Sequence, residues 1–270
     1  MKTMQTIILA NEKTKISTLD RGLNYGDGFF TTAKIINQHI EHWSYHKARL
    51  IECAKRLGFP DITFFDLEQQ IDKHIHSKQY GVLKVLVTRG KGGRGYSLPN
   101  DCHLTIVISV LEMPSHYSTL AKKGLDLGVS PIKLAAQPLL AGLKTLNRLE
   151  QVLIKNELRS QNCDDVLVCD YNNHVIESSA ANIFAIKGRS IFTPKLDECG
   201  IKGVYLQSLC DKLPIEFRHV SIDELKNADA VFICNSLMGA VPVKRLDKCT
   251  FDVEHSNTLL TLFLAKEAKC

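Results

Sequence analysis

The sequence predicts an α/β protein of two domains, an α+β-like arrangement with a smaller unit over residues 1–114 and a larger one over residues 119–270. Three observations carry that expectation. Short β-rich runs recur along the chain, amphipathic helical stretches interrupt them, and a proline-bearing link without periodicity, residues 112–118, separates two groups of strands. At 270 residues the chain is long enough to build two cores. Its net charge of +5 is dispersed, which argues for a soluble protein and against binding nucleic acid. No apolar leader follows Met1, and no run reaches the ~18 apolar residues of a membrane span, so a cytoplasmic location is expected. The nine cysteines form no C-x-x-C pair and read as small apolar fillers, and no metal site is expected.

In chain order, residues 4–10 and a second short run to Leu19 suggest a hairpin. Residues 20–28 form a loop punctuated by Gly22, Gly26 and Gly28, and a strand follows on which Phe30 and Thr32 share one face. Ser44 is placed as the N-cap of a helix over 45–57, stopped by Gly58, on which His46 and Arg49 share a face. A second helix is expected over 66–78 with Asp66 as its cap, followed by strands over 81–88 and 103–111. Between those strands, residues 89–97 make a basic glycine-rich loop carrying Arg94 and Tyr96.

Beyond the link, LDLGVS reads as a strand, and residues 165–169 and 174–177 as a strand pair turned by Asn172-Asn173. Glu177 with Ser178 and Ser179 then interrupts the apolar pattern before strands at 183–186 and 190–193. Cys199-Gly200-Ile201-Lys202-Gly203 is a glycine turn opening a helix at Val204 and Tyr205, matching neither a P-loop nor a dinucleotide fingerprint. A buried strand at 230–234 runs into Asn235-Ser236, and a helix over 257–268 closes the chain.

The stretch LLAGLKTLNRLEQV, from Leu140, draws these pieces together. Lys144 follows Ala141-Gly142 and precedes a helix expected to begin near Leu146, among Leu139, Leu140, Leu143 and Leu146. An apolar setting favours the neutral amine, which a Schiff-base lysine needs. By itself that is the reading of an ordinary surface lysine. The other oddities supply matching demands: a carboxylate, Glu177, for a ring nitrogen; Arg49 with the Val204 and Tyr205 amides for a phosphate; and Ser178, Ser179, Asn235 and Ser236 for the remaining ring and phosphate contacts. One ligand meets all of them, pyridoxal phosphate.

These residues also carry a resemblance. HKARL at Arg49, AGLKTLNRLEQ at Lys144, ESSAANIF at Glu177, GIKGVYL and CNSLMGAVPV resemble, in that order, the fold-type IV pyridoxal-phosphate enzymes. Within that family the likeness of RGLNYGDGFFTTAKI, GGRGYS and LAGLKTLNRLEQVLIKNEL runs to the lyases acting on 4-amino-4-deoxychorismate. The resemblance implies a homodimer with its cofactor in the cleft between the domains, Lys144 as cofactor anchor and base, and release of pyruvate and 4-aminobenzoate. Thr32 is the candidate for positioning or protonating the departing group, with Phe30, Arg94 and Tyr96 as substrate contacts. The alternative is an aminotransferase of the same fold type acting on D-amino or branched-chain amino acids.

Overall fold

In a computed structural model of the chain, which describes residues 4–11 and 13–267, the polypeptide forms two compact units. The first is Met1–Met113 together with Leu143–Asn147, and the second is Pro114–Gly142 together with Arg148–Cys270. Lys144 therefore belongs to the first unit, although its position in the chain falls within the expected second domain.

The first unit contains β1 (Gln5–Leu9), α1 (Arg21–Tyr25), β2 (Gly28–Ile36), β3 (His39–Ile40), α2 (Trp43–Arg56), α3 (Phe64–Ile75), β4 (Tyr80–Thr88) and β5 (Leu104–Leu111). Its sheet has the order β1-β5-β4-β2-β3. The alternation of β2 sorts its side chains. Phe29, Thr31, Ala33 and Ile35 are buried, whereas Phe30, Thr32, Lys34 and Ile36 are half-buried on the other face. The buried face packs with Leu83, Val85 and Val87 of β4, Leu104, Ile106 and Ile108 of β5, Leu50 and Cys53 of α2, and Leu67 and Ile71 of α3. Each large apolar side chain buried here contributes about 1.5–3 kcal/mol.

Four local expectations are corrected. The hairpin over residues 4–19 does not form; β1 instead pairs parallel with β5. The Thr14 hydroxyl donates to Leu9 O at 2.9 Å and accepts from Asn11 N–H at 2.8 Å, so side chains take up the backbone groups that a hairpin needs. Residue 12 of that turn lies outside the described residues. Within 20–28 the chain forms the short helix α1, capped by the Asp20 carboxylate accepting from Gly22 N–H and ended by Gly26 at φ 66°. Helix α2 begins at Trp43 after His42 at φ 56°, so Ser44 lies in its first turn, and Thr63 precedes α3 where Asp66 was expected.

The second unit contains α4 (Tyr117–Lys123), β6 (Leu125–Val129), α5 (Leu149–Leu158), β7 (Asp165–Cys169), β8 (Val175–Ser178), β9 (Asn182–Lys187) and β10 (Ser190–Pro194). It continues with α6 (Val204–Cys210), β11 (Ile215–Arg218), α7 (Ile222–Lys226), β12 (Ala230–Asn235), β13 (Gly239–Leu246), β14 (Cys249–Thr250) and α8 (Val253–Glu267). The sheet order is β11-β10-β9-β12-β13-β6-β7-β8, with β14 on β13. Strands β9 and β12 are apolar on both faces because both are covered. Ile183, Ala185, Val231 and Ile233 enter one cluster, while Phe184, Ile186 and Phe232 pack with Leu206 and Leu209 of α6 in another. The Phe184 and Phe232 rings stack at 4.9 Å.

Two helices differ from expectation. The helix after Lys144 starts at Leu149, and its buried residue is Ile154, whereas Leu149, Val152 and Leu153 are exposed. Helix α8 starts at Val253; Ala268, its expected end, lies outside the described residues, as does Met1. Among the described residues no helix is long and apolar enough to cross a membrane, and no cluster of three or more potential ligands is arranged to hold a metal.

Candidate active site

Lys144 lies on an extended segment that adds to the start of β2. Phe30 N–H donates to Lys144 O at 3.0 Å, Leu146 N–H donates to Gly28 O at 2.9 Å, and Phe29 opposes Thr145 in an antiparallel bridge. Residues opposed across an antiparallel pair project to the same side. Thr145, 1% exposed, therefore accompanies Phe29 into the core, and Lys144 accompanies Phe30 on the other face. The Lys144 ammonium stands 4.7 Å from the centroid of the Phe30 ring. This ring, with Leu143 buried behind the segment, replaces the leucine surround expected from sequence; Leu139 is 79% exposed.

On the core side of that segment, Cys53 of α2 receives a backbone hydrogen bond from Lys144, and burial raises its thiol pKa. Arg49, one turn earlier on α2, is half-buried, and desolvation lowers its pKa to about 10, so the guanidinium remains charged at neutral pH. His46 is fully buried. Its Nδ1 meets Thr31 Oγ1 at 2.6 Å, and its Nε2 has no hydrogen-bond partner among the described residues. Desolvation, then the nearby charges of Arg49 and His42, lower its pKa to about 3 and hold the imidazole neutral.

In the second unit Glu177 is the penultimate residue of β8, with 5% exposure. Its carboxylate accepts from Ile201 N–H at 2.9 Å and from Gln151 Nε2 at 3.4 Å. The turn supplying Ile201 is fixed by Gly200 at φ 81°, by Gly142 N–H donating to Gly200 O at 2.9 Å, and by Lys202 N–H donating to Gly142 O at 3.0 Å. Gly203 follows as the N-cap of α6, without a side-chain cap, and its N–H donates to Asn182 Oδ1 at 2.8 Å. A Cβ at Gly203 would come within 2.0 Å of that oxygen, so only glycine brings the chain this close before Val204 and Tyr205.

The remaining sequence-predicted residues have local partners. Ser178 Oγ accepts from Ala181 N–H at 3.1 Å, Ser179 donates its hydroxyl to Asp165, and Asn235 Oδ1 accepts from Leu237 and Met238 N–H at 2.9 and 3.0 Å. Ser236 is half-buried in the turn between β12 and β13. Arg94 is exposed, and Tyr96 is 85% exposed with its ring 5.5 Å from that of Tyr25.

Sequence reading missed what holds that loop. Asp27 accepts from Arg21 Nε at 2.7 Å and from Arg89 Nε at 2.9 Å, with both arginines buried. Arg21 also donates to the carbonyls of Gly95, Tyr96 and Ser97, and Arg89 to those of Leu57 and Gly58 at 2.8 Å. The signal was the three charges flanking an otherwise apolar and glycine-rich pattern. Also missed was Lys84, a lone charge within the apolar run VLKVLV.

Residues 28–246 match the family model described as class IV amino-transferase. The chain belongs to that family. It is similar to an aminodeoxychorismate lyase of Vibrio harveyi, at 37% identity over 86% of this chain and 87% of the relative. It is less similar to a D-alanine aminotransferase of Bacillus licheniformis, at 28% identity over 89% and 86% of the two chains. Among solved structures, a 4-amino-4-deoxychorismate lyase from Pseudomonas aeruginosa superposes with a TM-score of 0.86 at 33% identity, covering 94% of this chain and 97% of that one. The class IV architecture and its two β-sheets are the fold that the sequence motifs implied.

Proposed function

We propose that this class IV family member is a pyridoxal-phosphate-dependent lyase that converts 4-amino-4-deoxychorismate into 4-aminobenzoate and pyruvate. The observation that carries the reading is the 37% identity to an aminodeoxychorismate lyase over most of both chains, joined to a lysine held against Phe30 on the sheet face that Thr32 shares. The donor set fits the cofactor. A primary amine on an extended segment, a charged guanidinium and a buried carboxylate with two N–H donors answer an aldehyde, a phosphate and a ring nitrogen.

In this reading Lys144 anchors the cofactor, Glu177 serves the pyridine nitrogen, and Arg49 with the Val204 and Tyr205 amides serves the phosphate. Ser178, Ser179, Asn235 and Ser236 complete those walls. Bound pyridoxal phosphate supplies an electron sink for the charge left when a proton departs from the substrate carbon bearing the amine. Lys144, as a neutral amine, takes that proton. The Thr32 hydroxyl positions the ether oxygen of the enolpyruvyl group and donates to it as the C–O bond breaks. Loss of that group as pyruvate leaves an aromatic ring, which drives the reaction forward. Phe30 gives the ring an apolar wall, and Arg94 and Tyr96 contribute carboxylate contacts from their loop. The working enzyme is a homodimer, as the family resemblance implies, in the cytoplasmic location expected from the sequence.

The alternative, an aminotransferase, is supported by the 28% identity to a D-alanine aminotransferase. Incubating the loaded enzyme with D-alanine or leucine and 2-oxoglutarate separates the two readings. Catalytic glutamate formation, without 4-aminobenzoate from aminodeoxychorismate, would replace the lyase assignment.

A further inference from the structure

We infer that Lys84 is the specificity residue for the leaving group, its ammonium holding the enolpyruvyl carboxylate while Lys144 works on the neighbouring carbon. The inference rests on the lyase reading and goes beyond it. Lys84 lies directly opposite Thr32 in the β2–β4 ladder, so the two side chains leave the same face of the sheet. Its neighbours in sequence, Leu83 and Val85, are buried in the core, whereas Lys84 is half-buried on the face that carries Phe30, Thr32 and Lys144. The Lys84 ammonium stands 5.1 Å from the Phe30 centroid, and that of Lys144 4.7 Å from the same ring. The Lys84 and Lys144 side chains thus both reach one aromatic ring, on the face that also carries the Thr32 hydroxyl.

The charges and reach of the substrate match this pattern. It carries one amine and two carboxylates, and the departing three-carbon unit is attached to the ring carbon next to the one bearing the amine. A group placed at Thr32 for the ether oxygen therefore has the enolpyruvyl carboxylate just beyond it, where a cation is needed. Lys34, the next lysine along this face, is neutralised by Glu41 at 2.8 Å, whereas Lys84 stands over the Phe30 ring. A surface lysine with its head in bulk water would gain nothing from this placement. An anion arriving over Phe30 would be drawn to Lys84 at a partly desolvated position, where one charge-assisted contact changes affinity on the order of tenfold.

The test compares wild-type, Lys84→Met and Lys84→Arg holoenzymes. Pyruvate and 4-aminobenzoate binding are each measured by saturation-transfer NMR, alongside steady-state kinetics with aminodeoxychorismate. The expected result is pyruvate binding weakened about tenfold in Lys84→Met and largely restored in Lys84→Arg, with 4-aminobenzoate binding within about twofold of wild type and the loss of turnover efficiency following pyruvate. Unchanged pyruvate binding in Lys84→Met, or equal weakening of both products, overturns the assignment while leaving the lyase reading intact. A wild-type enzyme that forms no 4-aminobenzoate removes the lyase reading and this inference with it.

Discussion

Burial of His46 as a neutral imidazole makes the stability of the first unit sensitive to acid. Its folded-state pKa of about 3 lies below the ordinary 6.5, so between those values the unfolded chain binds a proton that the folded chain refuses. Stability from this group is complete above pH 6.5 and is lost as the pH falls toward 3. Between pH 7 and pH 5 the loss is about 2 kcal/mol, which corresponds to roughly 5 °C of melting temperature for a chain of this size. The perturbation that isolates it is His46→Asn, whose side-chain amide keeps a partner for Thr31 Oγ1 but has no proton to gain in this range. Thermal unfolding of both proteins, saturated with cofactor, is followed at pH 7 and pH 5. Wild type should lose about 2 kcal/mol more than the variant over that interval. Equal losses in the two proteins would refute the reasoning, because the acid sensitivity would then belong to other groups.

Two further changes test the scaffold and the chemistry. Asp27→Ala leaves the buried guanidiniums of Arg21 and Arg89 facing one another, and should cost about 3–5 kcal/mol or roughly 10 °C of melting temperature. Calorimetry checks this, and faster proteolysis within residues 91–100 would report the freed loop. Thr32→Val removes a hydroxyl at nearly constant volume and should lower kcat with aminodeoxychorismate about tenfold or more, with a smaller effect on KM. Turnover at the wild-type rate would end the role given to Thr32.

Much of this fold was legible because strand alternation and buried runs are local signals. Strand β2 with its two faces, the β7–β8 pair turned at Asn173, and the apolar β9 and β12 all follow from the order of side chains. The starts of helices were less legible. His42 at φ 56° sets the entry to α2, and the competing Ser44 lies inside the first turn. The stretch around Lys144 shows the deeper limit. Leu146, Leu149 and Leu153 have helical spacing, but what shapes the segment is its pairing to Gly28 and Phe30, more than a hundred residues earlier in the chain. Lys84 was overlooked for the same reason, since its importance comes from standing opposite Thr32 and beside the ring that Lys144 also meets.

The central claim is that Lys144 moves a proton to release an aromatic product, and product stoichiometry tests it most directly. Wild-type enzyme loaded with pyridoxal phosphate and given aminodeoxychorismate without an amino acceptor should form 4-aminobenzoate and pyruvate in equal amounts over many turnovers, and Lys144→Ala should form neither at a comparable rate. No 4-aminobenzoate from wild type, or equal turnover by Lys144→Ala, would contradict the account.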